Sequence, residues 1–521
     1  MAGKPYYITT PIYYVNGEPH LGHVYTTVAC DVLARFKRLD GNDVFFLTGT
    51  DEHGLKVHQA AKARGIDPQK FTDEVSKIFK DVLPPFNISN DDFIRTTEDR
   101  HKRASQALWT KLVESGDIYL DKYSGWYAVR DEAYYGEEEL ITTPDGKKIA
   151  PSGAECNWVE EESYFFRLSA WQDRLLKYYD ENPDFIQPDT RRNEVISFVK
   201  GGLKDLSISR TTFDWGIPVP GNPKHVMYVW IDALTNYLTA IGYPDEDSQT
   251  FKKFWPADLH MVGKEIIRFH CVYWPAFLIG ADLPPPKKVF AHGWWTAEGE
   301  KMSKSLGNVI LPGDLIERYG VDASRYFLLR EVPFGNDGDF SHAQAVQRIN
   351  NDLANGLGNL AQRTLSMIAK NCGEAIPAPG PLTAEDKTLL EMAQVKMLAA
   401  ARIELDRQRF HKALDEIWSV VTAANGYIDA QAPWTLKKTD SARMETVLYV
   451  LAEVIRCLGL IVQPFMPDSA TKMLDQLAVP ADQRGFEFLN AGHMLKPNTK
   501  LPSPQGVFPR IVEEELKAVV G

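Results

Sequence analysis

The chain predicts an α/β protein built on a doubly wound parallel sheet, interrupted by an inserted α+β module and followed by a long α-helical region. Three observations carry this expectation. Apolar, β-branched or aromatic runs repeatedly break at a glycine and continue into a helical pattern; short strand-like stretches with acidic turns separate two groups of these units; and from about residue 343 the glycine-broken pattern gives way to helical periodicity.

In chain order, residues 6–14 are β-branched and aromatic, and NGEPHLGH then opens a helix that continues through TTVACDVLARFKRL. VFFLTGTDEHG breaks at Gly49 before LKVHQAAKARG, and DLHMVGKEIIRFHCVYWPAFL repeats strand, Gly263 and helix; a fourth strand, KVFAHGWW, precedes Gly299. Residues 112–224 form the insertion, where SGWYAVRDEAYYG and CNWVEEESYFFRL alternate with turns such as TTPDGKK. Helices are expected over 345–370, 384–407, 411–428 and 443–461. The Pro/Gly-rich AIPAPGPLTAED is an inter-helix loop, and the tail 496–521 holds no second compact domain.

Composition narrows the function. A chain of 521 residues with 44% apolar and 25% charged residues is an ordinary multidomain folded protein. No window approaches an uncharged apolar membrane span, and MAGKPYYITT has neither a secretory core nor a transit pattern, so the expected location is cytoplasmic. Lys plus Arg, 58, against Asp plus Glu, 70, leaves a charge of -12, which argues against a sequence-independent grip on nucleic acid and confines any polyanion to a local patch. The cysteines, Cys30, Cys156, Cys271, Cys372 and Cys457, lie far apart with no CxxC pair, so neither a disulfide framework nor a zinc knuckle is supported.

Two motifs carry chemistry. Pro19-His20-Leu21-Gly22-His23 sits where a strand turns into a helix, and a helix N-terminus already favours an anion. His20 and His23, three apart, can donate to one phosphate, and Gly22 lets a nucleotide approach the backbone. Lys301-Met302-Ser303-Lys304-Ser305 adds two ammonium groups and two hydroxyls in a stretch with glycines on both sides, which suits a triphosphate; the bland alternative is a solvated basic loop. Here the sequence resembles the class I aminoacyl-tRNA synthetases, whose hallmarks are a HIGH-type turn and a KMSKS loop. HLGH departs from HIGH only at the second position, and KMSKS is present letter for letter.

The resemblance narrows to the methionyl-tRNA synthetases through PIYYVNGEPHLGH, TGTDEHG, YVWIDALTNY, VGKEIIRFH and KMSKS, and extends into the helical region. It implies a Rossmann-like catalytic domain over 1–112 and 226–290, a connective peptide over 113–225, a KMSKS and stem-contact region over 291–345, and a helical-bundle anticodon-binding domain with its tail over 346–521. It also implies a methionine–tRNA ligase that forms methionyl-adenylate from L-methionine and ATP with Mg²⁺, then charges initiator and elongator tRNA(Met). His20, His23, Lys301 and Lys304 would be catalytic, and Gly22, Gly263, Ser303 and Ser305 would join them in holding ATP. Ile12, Tyr14, Trp230, Ala233, Tyr237, Ile266, Phe269, His270 and Trp274 match the methionine pocket, and Asp51 the partner of the substrate ammonium. Leu234 stands where some family members have proline. Independently of the resemblance, Trp230, Ala233, Leu234 and Tyr237 fall at i, i+3, i+4, i+7, and Ile266, Phe269, His270 and Trp274 at i, i+3, i+4, i+8, each a single helical face; an ordinary core face is the bland alternative, and the richness in aromatics, which suit a thioether, favours a pocket without identifying methionine.

Many relatives hold zinc in the connective peptide through paired cysteines. In this chain the first pair is Ala128 and Asp131, so no structural zinc is expected, and packing by Trp126, Tyr127, Tyr134 and Tyr135 takes its place. NLAQR and the APW turn match the anticodon-reading elements, which assigns Asn359, Arg363 and Trp434 to the anticodon; without the resemblance, a solvated Asn/Arg pair and a core tryptophan would serve as well. No insertion is long enough for the editing domain that Ile, Val and Leu enzymes carry. A cysteinyl or short leucyl-like synthetase, an HxGH nucleotidyltransferase and a non-catalytic tRNA-binding scaffold are the rival readings. The chain is expected to act as a monomer.

Overall fold

The computed structural model describes residues 3–131, 133–228, 230–302 and 307–512. Strands β1 (Pro5–Thr9) and β2 (Tyr13–Tyr14) lead into helix α1 (Leu21–Leu39), which returns to β3 (Asp43–Asp51); β4 (Asp92–Arg95) follows two further helices. β1 lies inside a seven-stranded parallel sheet, flanked by β3 on one side and Leu259–Gly263 on the other. Val289–His292 and Ile186–Gln187 extend the sheet beyond Leu259–Gly263, while β2 and β4 both pair with β3. The chain therefore winds outward from β1 in both directions, and the strand order reverses there, at the carboxyl ends where an open α/β sheet leaves a crevice.

Alternation along the strands builds two cores. Ile8, Val44, Phe46, Leu259 and Met261 face α1 in one cluster, whereas Tyr7, Leu47, Ile94 and Val262 face the other. The run 6–14 is not one strand. Pro11 has no N–H to give a neighbour, and the chain leaves β1 at Thr10, where the hydroxyl satisfies the Pro11 carbonyl at 2.7 Å, before re-pairing as β2 further along β3.

The insertion is an antiparallel module in which Ile118–Ala128 pairs along Glu155–Phe166, with Ala133–Tyr135 at its edge. The same stretch gives a strand back to the main sheet, because Ile186–Gln187 pairs in parallel with Val289–His292. After the sheet, helices run through 342–371, 384–406, 410–431 and 441–462, and Pro467–Gln476 adds one more. The tail folds back as extended chain, bridging Ala375 to Lys500. Among the described residues no helix is long and apolar enough to cross a membrane.

Sheet and bundle share one apolar core: the cluster that begins at Ile8 and α1 continues through Leu353, Ile417 and Leu458. One buried ion pair crosses it. Arg325 and Asp31, both with side chains 0% exposed, meet at 2.7 Å. The guanidinium also donates to the carbonyls of Phe86, Pro464 and Phe465. Burial alone would push the Asp31 carboxyl up, but Arg325, Arg35 and two hydrogen bonds from Ser89 outweigh it and hold the group below the usual carboxylate range.

Removing one partner of such a pair strands the other charge, so Arg325→Met is expected to destabilise the protein by about 3–5 kcal/mol in denaturant unfolding. Because the folded pKa of Asp31 lies below the unfolded value near 3.9, the wild-type advantage is full above about pH 4 and is lost as pH falls through the lowered folded value.

Candidate functional site

α1 begins at an unusual cap. His20 is extended (φ -138°) and forms the N-cap; the N–H of Gly22 donates to its Nδ1 at 3.1 Å, and the N–H of His20 donates to Nδ1 of His23 at 3.0 Å. Two imidazoles thus replace the hydroxyl and carboxylate of an ordinary capping box. Since both Nδ1 atoms accept, each neutral ring carries its proton on Nε2. Burial, and then His20, pushes the pKa of His23 well below the ordinary value, which keeps that ring neutral near pH 7. The two rings lie 4.0 Å apart, and Tyr13 and Phe79 meet the His23 ring edge-to-face. A Cβ on Gly22 would sit 3.0 Å from Cε1 of His20, so the glycine makes room for the His20 ring.

The second motif adjoins the first. The N–H of Leu21 donates to the carbonyl of Ile310 at 3.0 Å, tying the HLGH turn to the chain just beyond KMSKS. Lys301 ends the hairpin strand Glu300–Lys301, which pairs with Trp295–Ala297; its ammonium lies 5.9 Å from the centre of the Trp294 ring, and its carbonyl accepts from Asn308. Ser303, Lys304 and Ser305 lie outside the described residues. Gly263 closes the strand Leu259–Gly263 at the same edge of the sheet, and Lys264 just after it stacks on Trp294 at 4.2 Å.

The aromatic residues form a wall. Trp230 stacks on Phe269 at 4.3 Å and meets His270 edge-to-face, and the Tyr237 hydroxyl lies 2.7 Å from Nε2 of His270. His270 Nδ1 is 3.0 Å from the Ile266 carbonyl, which can only accept, so Nδ1 bears the proton and Tyr237 donates to Nε2. Burial pushes His270 down to about 4, so the wall is uncharged. Trp274 is fully buried behind Tyr237, Ile12 and Ala233 are buried, and Tyr14 and Ile266 are half-buried. Asp51 ends β3 opposite Tyr14. Trp230 has φ +69°, a left-handed conformation that a bulky side chain seldom adopts, at the start of helix Ile231–Thr239.

The segment expected as one regular helix after Gly263 is not regular. A 3₁₀ turn at Lys264–Ile266 and a π-helical turn at Phe269–Tyr273 precede helix Trp274–Gly280, and the wider turn is what brings Trp274 under Tyr237 at i+8.

Sequence reasoning missed three neighbours. His260, one strand inward, stacks on Tyr237 at 4.0 Å and bonds Thr9 Oγ1 at 2.9 Å; His292 meets the Thr26 hydroxyl at 2.7 Å one turn past His23; and the Tyr13 hydroxyl donates to the His23 carbonyl. His292 ends strand Val289–His292, Tyr13 lies beside α1, and His260 pairs with Thr9 at the carboxyl end of β1, but only the sheet order brings them together.

Where relatives hold zinc, the donors do not make a metal cage. Ala128, Ala150, Ala154 and Cys156 form a small buried cluster, with Trp126 and Tyr135 packed on it. Asp131 is engaged by Tyr135 at 2.8 Å, by Ser152 and by Arg130. Tyr127 turns the other way, toward Tyr228; the Tyr134 side chain lies outside the described residues. Among the described residues no group of three or more His, Cys, Asp or Glu is placed to hold a metal ion.

At the far end of the bundle, Arg363 lies 5.2 Å from the centre of the Trp434 ring and bonds Asp429 at 2.7 Å. Ala432, in the left-handed region (φ 43°), throws the chain outward before helix Pro433–Thr439, leaving Trp434 44% exposed. Trp434 is therefore not a core residue. Asn359 is exposed one turn before Arg363, on helix Asn359–Asn371.

Two helix-capping imidazoles at a sheet's topological switch, joined to a lysine-bearing hairpin, define a class I aminoacyl-tRNA synthetase, and a family model described as "tRNA synthetases class I (M)" matches residues 6–365. A second, "Anticodon binding domain of methionyl tRNA ligase", matches residues 376–520. The methionine–tRNA ligase of Brucella suis is 59% identical over 515 residues, 99% of each chain, and that of Mycobacterium bovis is 55% identical over 511. Mycobacterium tuberculosis methionyl-tRNA synthetase in complex with methionyl-adenylate superposes with a TM-score of 0.94 at 55% identity, covering 97% of this chain and 100% of that one; the apo form gives 0.87 at 51% identity, covering 98% of each. The chain belongs to the methionyl-tRNA synthetase family, and its activity is that family's ATP-dependent ligation of methionine to tRNA.

The cap geometry makes a spectroscopic prediction. Histidine ¹⁵N spectra are expected to show His20 and His23 as Nε2–H tautomers, with His23 and His270 untitrated between pH 8 and 6; a His23 resonance titrating near 6.5 would contradict the buried, neutral cap.

Proposed function

We propose that the crevice at the carboxyl ends of β1, β3 and Leu259–Gly263 activates L-methionine with ATP and then transfers it to the 3′ end of initiator and elongator tRNA(Met). The pair of imidazole caps at the start of α1 carries this reading. A carboxylate oxygen of methionine attacks the α-phosphorus, a new P–O bond forms, and the bond to the β-phosphate oxygen breaks to release pyrophosphate. The methionine carboxyl is already ionised near pH 7, so no general base is needed and charge neutralisation is the main task.

His20 and His23 donate from Nε2 to the oxygens of the α-phosphate as negative charge builds there, aided by the positive end of α1. Lys301 and Lys304 hold the leaving pyrophosphate, with Ser303 and Ser305 beside them and Gly22 and Gly263 leaving room for the nucleotide. Mg²⁺ bound with the ATP would supply further charge neutralisation. Asp51 pairs with the substrate ammonium. Ile12, Tyr14, Trp230, Ala233, Tyr237, Ile266, Phe269, His270 and Trp274 enclose the thioether; support comes from the internal Tyr237–His270 bond, which leaves an uncharged, polarizable wall. A terminal tRNA hydroxyl then attacks the carbonyl carbon and AMP leaves.

The enzyme works without structural zinc, as a cytoplasmic monomer, and needs neither DNA nor a membrane. Support for zinc independence is the small apolar cluster of Ala128, Ala150, Ala154 and Cys156. Asn359, Arg363 and Trp434 read the anticodon, which is supported by the exposed indole with a guanidinium beside it.

The direct test is ATP–pyrophosphate exchange with methionine, leucine, isoleucine and cysteine in metal-chelated buffer restored with Mg²⁺ only. Exchange is expected with methionine alone; activity lost after chelation and regained with zinc would refute the metal assignment. For the anticodon surface, Trp434→Ala is expected to raise the KM for tRNA about tenfold or more, the worth of one lost base stack, while methionine-dependent exchange is unaltered. Loss of exchange as well would make Trp434 a structural residue.

A further inference from the structure

β3 leaves the sheet at Asp51, and the next three residues, Glu52-His53-Gly54, hang between two supports. On one side the fully buried Glu52 carboxylate accepts from Arg95 on β4 at 2.7 and 3.0 Å, from Thr50 at 2.8 Å and from Thr97 at 2.6 Å. On the other side stands Trp215, in the stretch that returns from the inserted module. Its indole N–H donates to the Glu52 carbonyl at 2.6 Å, its own carbonyl accepts from the N–H of Gly54 at 3.4 Å, and its ring meets His53 edge-to-face at 5.6 Å. It packs against the cluster that also holds Tyr14. Side chain and carbonyl of Glu52 are thus fixed by different elements, and the residue that follows Asp51 is held on both sides.

We propose that Trp215 is a positioning residue for the amino-acid site: it clamps the 52–54 turn so that the Asp51 carboxylate meets the substrate ammonium, and through it the inserted module sets the affinity for methionine. The proposal rests on the reading that Asp51 pairs with that ammonium. A carboxylate at a strand end gains from an ammonium only if it is already oriented, since a side chain on a loose turn must be ordered at each binding event. The Asp51–Glu52 peptide is held from within the sheet region, where the Val15 N–H donates to the Asp51 carbonyl at 3.2 Å and the Glu52 N–H donates to Thr96 Oγ1 at 2.9 Å; the indole N–H fixes the next peptide, Glu52–His53, and is the contact that comes from outside the sheet.

The test uses the full chain, with Trp215→Phe, which keeps a ring but removes the N–H, Asp51→Asn, and the double variant. Exchange assays give KM for methionine and ATP, and inhibition by 4-(methylthio)butanoate reads affinity for the same side chain and carboxylate without the ammonium. Trp215→Phe is expected to raise the KM for methionine about fivefold, the worth of one lost hydrogen bond. KM for ATP and inhibition by the deaminated analogue should stay within about twofold, and the change should add less than about twofold in the Asp51→Asn background. Equal loss for methionine and the analogue, or a KM for ATP that moves in step, would overturn the proposal and make Trp215 a packing residue. The ratio of the two affinities does not depend on how much enzyme is folded, so partial misfolding does not blur it. An Asp51→Asn enzyme with unaltered methionine KM would instead overturn the ammonium assignment, and the proposal with it.

Discussion

The buried contact between Asp31 and Arg325 is the constraint on which the arrangement of the molecule turns. Asp31 lies eleven residues into the chain after His20, about 16 Å along α1 at 1.5 Å per residue. Arg325 spends its remaining donors on the loop carbonyl of Phe86 and on the carbonyls of Pro464 and Phe465, just after the bundle helix Ser441–Val462. One guanidinium therefore fixes the helix capped by His20 and His23, the loop beneath it and the anticodon-side bundle together. Farther along α1, Lys37 meets Asp406 and Asp40 takes a forked contact from Arg402. Those exposed pairs add little energy individually, and they set the same register as the buried one.

A fixed α1 matters because its N-terminus is chemically committed. An ordinary capping box uses a hydroxyl and a carboxylate, and a carboxylate there would repel phosphate. With imidazoles in both places, the helix end keeps its partial positive charge and gains two N–H donors. The Nδ1 contacts do double duty, since satisfying backbone N–H groups also sets the tautomer that leaves Nε2 as the donor. The same logic operates in the aromatic wall, where the Ile266 carbonyl fixes the His270 tautomer and hence the direction of the Tyr237 hydroxyl.

What the sequence made legible was local. HLGH, KMSKS and the glycine-ended strands announce themselves within a few residues, and helical periodicity placed the bundle helices to within a few positions. The break at Pro11 was readable in principle, because proline cannot serve a central strand, but the β-branched run on either side outweighed it. The strand Ile186–Gln187 was not readable: two residues give no period, and its partner lies about a hundred residues away. His260 and Trp215 escaped for the same reason. Each owes its position to sheet order and a returning segment, with contacts spanning more than 160 residues, and no spacing rule connects Trp215 to Glu52.

Trp434 shows how physics separates two readings that sequence leaves level. A core tryptophan and a stacking tryptophan look alike in a helical segment, and only the backbone decides between them. Ala432 adopts a left-handed conformation without being glycine, and that turn carries Trp434 away from the bundle instead of into it. The exposed ring forfeits apolar burial worth on the order of 2 kcal/mol. Arg363 recovers only a fraction of this through a solvated cation–π contact. An exposed indole with a guanidinium beside it presents a flat face that a planar ligand can cover, and on a chain of net charge -12 such a face offers a grip that needs no general attraction for phosphate.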